Sequence, residues 1–120
     1  MRTQAELTPD DLSQFTGTEM WYRYHKNILL TDGVKYFCDT VGGFWVIDII
    51  FSVGNLINQE DFVYIELTVK NSKASIVFTD GDKGDGPVVL YKQKIPYTDC
   101  PEGVWKFYKE GQVILVPSEH

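Results

Sequence analysis

The sequence predicts an α+β domain: an antiparallel sheet of about four or five strands with helices packed on one face. Three observations carry that prediction. From Val34, the apolar residues Val34, Phe37, Cys38 and Val41 recur at helical spacing. From Phe62, the apolar residues Val63, Ile65, Leu67 and Val69 occupy every second position, the period of a half-buried strand. Two further strand-like runs follow at hairpin distance, giving a meander. The chain has 120 residues, of which 43% are hydrophobic, enough for one core and one domain spanning 1–120.

Taken in order, Thr8-Pro9-Asp10-Asp11 is a helix start, with a capping hydroxyl, proline at the first helical position and acids at the positive end of the dipole. The helix should end near Gln14, before Gly17. Met20 to His25 and Ile28 to Leu30 read as two short extended segments, the first dense in aromatics. Thr31-Asp32-Gly33 is turn chemistry, and the helix that follows should stop at Gly42-Gly43. Phe44 to about Gly54 is apolar nearly all round and long enough for a core helix, with a buried strand as the alternative. Strands are expected at 62–69, 74–79 and 88–95, joined by Asn71-Ser72 and by a glycine and aspartate loop from Asp80 to Gly86. Asp99 and Pro101 then signal a second helix start, with Val104, Phe107 and Tyr108 as its apolar stripe and Gly111 as its stop. Val113 to Val116 is a last strand.

Seventeen acidic against eleven basic residues give a net charge of −6, a field that disfavours phosphate binding. A nucleic-acid role would need a local exception. The first thirty residues have no secretory-signal pattern, and the longest apolar stretch is far short of the ~20 residues that span a bilayer. Cys38 and Cys100, far apart and without a CxxC, suit reduced thiols in a cytoplasmic protein that engages no membrane.

Catalytic apparatus is sparse. His25 is the one internal histidine able to shuttle a proton near neutral pH, and it has no nucleophile motif beside it. Zinc lacks a ligand set, and no metal or other cofactor is expected. Asp80, Asp82 and Asp85 offer oxygens to calcium but fail the EF-hand pattern, so a solvated hairpin loop is the simpler reading. Asp48, on an apolar helix, must be hydrogen-bonded or sit in a cleft with a raised pKa, and Tyr36 and Trp45 are its candidate cleft partners. Trp21, Tyr22, Arg23 and Tyr24 mix rings with positive charge, a composition shared by protein hot spots and single-strand platforms. Glu60, Asp61 and the Asp80 to Asp85 loop form the acidic counterpart, able to occupy a nuclease groove. An enzyme is therefore not expected.

Read together, Gln14 to Glu19 (QFTGTE), Trp21 to Arg23, Thr31 to Tyr36 (TDGVKY), Gly43 to Asp48, Pro96 to Asp99 (PYTD) and Val116 to Glu119 (VPSE) resemble a family of short uncharacterised proteins of bacteria, phages and other mobile elements. The resemblance implies an α+β domain and carries no catalytic residues. It also implies a setting in which small acidic domains look like anti-CRISPR inhibitors. The function expected from it is a non-enzymatic protein that binds a nucleic-acid-handling effector or nuclease or blocks its guide loading, with no sequence-specific nucleic-acid binding of its own. The alternatives are an accessory interaction module unrelated to defence, and a small-ligand binder or weak hydrolase at the Asp48 cleft.

Overall fold

The computed structural model describes residues 7–24, 28–57, 60–81 and 86–119. A 3-10 helix (Pro9–Gln14) opens the fold, and the Asp11 carboxylate accepts the Thr8 N–H at 2.8 Å to hold its first turn. Two short strands, β1 (Tyr22–Tyr24) and β2 (Ile28–Leu30), precede helices α1 (Asp32–Val41), α2 (Phe44–Ser52) and the four-residue α3 (Gly54–Ile57). Strands β3 (Phe62–Lys70), β4 (Lys73–Thr79), β5 (Val89–Ile95), β6 (Gly103–Glu110) and β7 (Val113–Leu115) follow, and a 3-10 turn spans Pro117–Glu119. Among the described residues no helix is long and apolar enough to cross a membrane.

The sheet has seven strands in the order β1-β2-β7-β6-β3-β4-β5, more than the four or five expected. The difference has two sources. One is the N-terminal strand pair, which joins the sheet through a parallel pairing of β2 with β7. The other is β6, which corrects the helix expected after Pro101. Val104, Phe107 and Tyr108 do fall at helical spacing, yet Trp105, Phe107 and Lys109 alternate just as well with Val104, Lys106 and Tyr108. A stretch so rich in aromatics satisfies both periods. Pairing decides: β6 lies between β3 and β7, with Trp105 opposite Leu67 and Phe107 opposite Ile65. As a strand it buries Trp105 and Phe107 completely and gives the Trp105 indole N–H the Pro101 carbonyl at 3.0 Å.

Helices cover one face of the sheet. The Phe37 ring meets Trp105 at 5.0 Å and Phe107 at 5.1 Å between centroids, fixing α1 over β6. Val46, Ile47 and Ile50 of α2 join Val63, Ile65, Leu67, Ile76 and Phe78 in the same core. The α1–α2 corner needs its two glycines: Gly42 has φ 68°, and a Cβ on Gly43 would collide with the Phe37 ring. Cys38 and Cys100 are buried free thiols, and burial pushes each up to about 12.

Candidate functional site

The aromatic segment at β1 is split by the pleat. Tyr22 and Tyr24 pair with Leu30 and Ile28 and turn toward the helices, whereas Arg23 faces the other way and is exposed. Tyr24 stacks on Phe44 at 5.1 Å and donates its hydroxyl to the Asp48 carboxylate at 2.9 Å. Burial, then that hydrogen bond, raises the Tyr24 phenol above its ordinary pKa. Tyr22 lies under the Lys35 ammonium, 5.2 Å from the ring centroid. Met20 and Trp21, just before the strand, are 57% and 54% exposed, and β1 is an edge of the sheet.

Asp48 is therefore an exposed acid of α2 engaged by a tyrosine. Tyr36 packs on Phe15 at 5.3 Å, and Trp45 is half-buried on α2. The cavities described below are lined by other residues.

The acidic group is dispersed. Asp80 is buried, not a solvated loop acid: its Oδ1 accepts the Val88 N–H at 3.0 Å and its own N–H reaches the Val88 carbonyl, closing the base of the loop. Asp82 and Asp85 lie outside the described residues, as does His25. Glu60 and Asp61 line a cavity of about 370 Å³ with Ile28, Phe51, Lys109 and Gln112. Lys109, unforeseen from the sequence, is the buried cation there: its ammonium donates to the Gly111 carbonyl at 2.7 Å, and desolvation lowers its pKa. Period-two reading of 105–109 would have flagged it as a charge on the inner face. Among the described residues no cluster of three or more His, Cys, Asp or Glu side chains could hold a metal ion.

The sheet face opposite the helices carries a second cavity, of about 360 Å³, lined by Phe62, Tyr64, Thr79, Gly81, Pro87 and Tyr108. Tyr108 meets Phe62 at 4.9 Å and Tyr64 at 5.9 Å between centroids. Burial, with the Glu66 carboxylate and Tyr108 nearby, pushes the Tyr64 phenol up to about 12, so it stays neutral. A third cavity, about 280 Å³, lies between the two 3-10 elements and Val104 and Lys106 of β6.

The chain matches the family of unknown function DUF6876 over residues 6–120. It belongs to that family. No curated protein and no solved structure matches it.

In this DUF6876 chain, residues 18–19, 31–33 and 116–119 meet at the start of α1. The Glu119 carboxylate accepts the Thr31 hydroxyl, the Gly33 N–H at 3.0 Å and the Val116 N–H at 3.1 Å. From the other side, Thr18 Oγ1 accepts the Asp32 N–H at 2.9 Å, and Asp32 Oδ2 accepts the Glu19 N–H at 2.9 Å. Gly33 leaves no room for a side chain, since a Cβ there would lie 2.9 Å from Val116 Cγ2. A carboxylate on free N–H groups at the positive end of a helix is a stabilising cap. One junction thus joins the start of α1 to residues more than 80 positions further along the chain.

Proposed function

We propose that this protein is a non-enzymatic binding protein that inhibits a bacterial defence nuclease, of the anti-CRISPR kind, by occupying the effector or interfering with guide RNA loading. The observation that carries the binding reading is the exposed Met20–Trp21 pair at β1, the edge strand of the sheet among the described residues, with Arg23 exposed beside it. Tryptophan and arginine are the side chains that dominate interface energetics, and a strand edge offers backbone groups to a partner strand. The net charge of −6 favours encounter with a basic, nucleic-acid-handling surface. The defence setting comes from the resemblance to mobile-element proteins, an argument by association.

The test is titration of the purified protein against reconstituted RNA-guided effectors, before and after guide loading, followed by nuclease activity and co-elution. Stoichiometric inhibition is expected, with Met20→Ala/Trp21→Ala weakening it at least tenfold. Absence of binding and inhibition at micromolar concentration, across effector classes, overturns the inhibitor reading. A stoichiometric partner outside defence systems, lost with the same double substitution, would establish the accessory-module alternative instead.

A further inference from the structure

We propose that the open face of the sheet, over β3 to β6, binds single-stranded nucleic acid, stacking bases in the Phe62–Tyr64–Tyr108 cavity and holding phosphates on the lysines beside it. The charge distribution motivates this. The chain as a whole is at −6, yet among the described residues five of its eleven basic residues project from β3 to β6 on this one face. Lys70 and Lys73 pair across the β3–β4 hairpin, Lys92 and Lys94 stand opposite Val77 and Ser75 on β5, and Lys106 stands opposite Glu66 on β6. All five are exposed, and none of their ammonium groups is hydrogen-bonded or ion-paired among the described residues. On the same strands Glu66 and Glu110 oppose them, and Asp10 of the opening 3-10 helix shares a cavity with Lys106, while Glu102, at the hairpin end, is committed to the Asn71 N–H at 2.7 Å.

The register sets the spacing. Lys106, Glu66, Val77 and Lys92 form one row across four strands, and neighbouring strands lie about 4.8 Å apart, so the two ammonium stems are roughly 14 Å apart. Lys94 is one same-face step beyond Lys92, about 7 Å along the strand. The Tyr64–Tyr108 pair lies one such step from the Glu66–Lys106 pair, on the opposite side from Thr68 and Val104. A cavity of about 360 Å³ with three aromatic walls is within the range of small-ligand pockets, and its rings are in the open-face layer where an unpaired base can reach them. Aromatic stacking with flanking cations is the physical basis of sequence-tolerant single-strand binding. A duplex hides its base faces and would use the lysines alone. This site is the local exception that the acidic composition left as the one route to nucleic acid, and it stands independently of the protein partner proposed above.

The experiment is fluorescence anisotropy of the full chain with labelled 15-nucleotide poly-dT and poly-U, a duplex of equal length, and poly-glutamate as competitor. Micromolar binding of the single strands is expected at 50 mM salt, at least tenfold tighter than the duplex. The slope of log K against log salt should approach about −3.5 if all five lysines contact phosphate, at roughly −0.7 per contact. Lys92→Gln/Lys94→Gln should weaken binding at least fivefold and flatten the slope by about 1.4, whereas Lys35→Gln on the helical face should change neither. Tyr108→Leu should weaken binding without altering the slope. Because Tyr108 is half-buried, photocrosslinking of 4-thiouridine RNA to wild-type protein gives a second readout, with adducts expected at Tyr64 or Tyr108. No binding at 100 µM protein, equal affinity for the duplex, insensitivity to the two lysine substitutions, adducts confined to the helical face, or equal displacement by poly-glutamate would each overturn the proposal, the last in favour of an acidic peptide.

Discussion

Removing the Glu119 carboxylate should unfasten α1 from the end of the chain. Glu119→Ala deletes three hydrogen bonds, to the Thr31 hydroxyl and to the Gly33 and Val116 N–H groups. A hydrogen bond to a charged group contributes about 1.5–3 kcal/mol when well shielded. Glu119 is half-buried, so the low end applies to each, and the Thr31 hydroxyl keeps its 3.3 Å contact with the Ile114 carbonyl. The Gly33 and Val116 amides, both in buried residues, lose their acceptor, and the cap on the helix dipole disappears. The expected loss is about 2–4 kcal/mol, which for a domain of this size lowers Tm by roughly 8–16 °C. Glu119→Gln keeps one acceptor oxygen and should cost about 1 kcal/mol. Thermal and urea unfolding of both variants, with Thr31→Val completing a double-mutant cycle, measure this. A Glu119→Ala change under 0.5 kcal/mol, or strict additivity with Thr31→Val, would refute the reasoning.

The hairpin between β3 and β4 turns at Asn71 and Ser72, both left-handed at φ 55° and 61°, so Ser72→Gly should stabilise the fold by about 0.5–1 kcal/mol and raise Tm by a few degrees. Cys38 and Cys100 should resist iodoacetamide at pH 8 in the native state and react fully in guanidinium. Their folded pKa values, raised from 9.0 to about 12, also mean that stability fully present below pH 9.0 falls as pH rises toward 12, a loss that Cys100→Ala should reduce in urea melts. Lys109 has the opposite sign: its folded pKa is lowered, so the unfolded chain binds more protons just below pH 10.5 and this group adds stability as pH rises through that window. Comparing Lys109→Met with wild type between pH 7 and 10 should show the wild type gaining relative stability with pH, and a flat difference would contradict it.

Much of the fold was legible because local pattern and tertiary environment agree. The spacing Val34, Phe37, Cys38 and Val41 gave α1 its buried stripe, and the alternation from Val63 to Val69 gave β3 its buried row. Where one segment satisfied two periods, sequence could not choose: Val104 to Tyr108 reads as helix or strand, and only the vacancy between β3 and β7 makes it β6. The candidate site was less legible, since side chains far apart in sequence become neighbours only through register. Nothing local places Lys92 and Lys94 on the same face as Lys106, or Phe62 and Tyr64 against Tyr108. Likewise Trp21 and Tyr22 are adjacent in sequence, but Trp21 stays exposed while Tyr22 turns in to α1.

By itself, the sequence determined composition, charge, the α+β class and the periodicity of its stronger elements, because these depend on residues within a turn or two of one another. The tertiary structure decided the seven-strand order, the burial of Asp80 and Lys109, the Glu119 junction and the gathering of lysines on one face. These depend on which strands pair and which face the helices cover, and pairing is settled by burial summed over the whole chain.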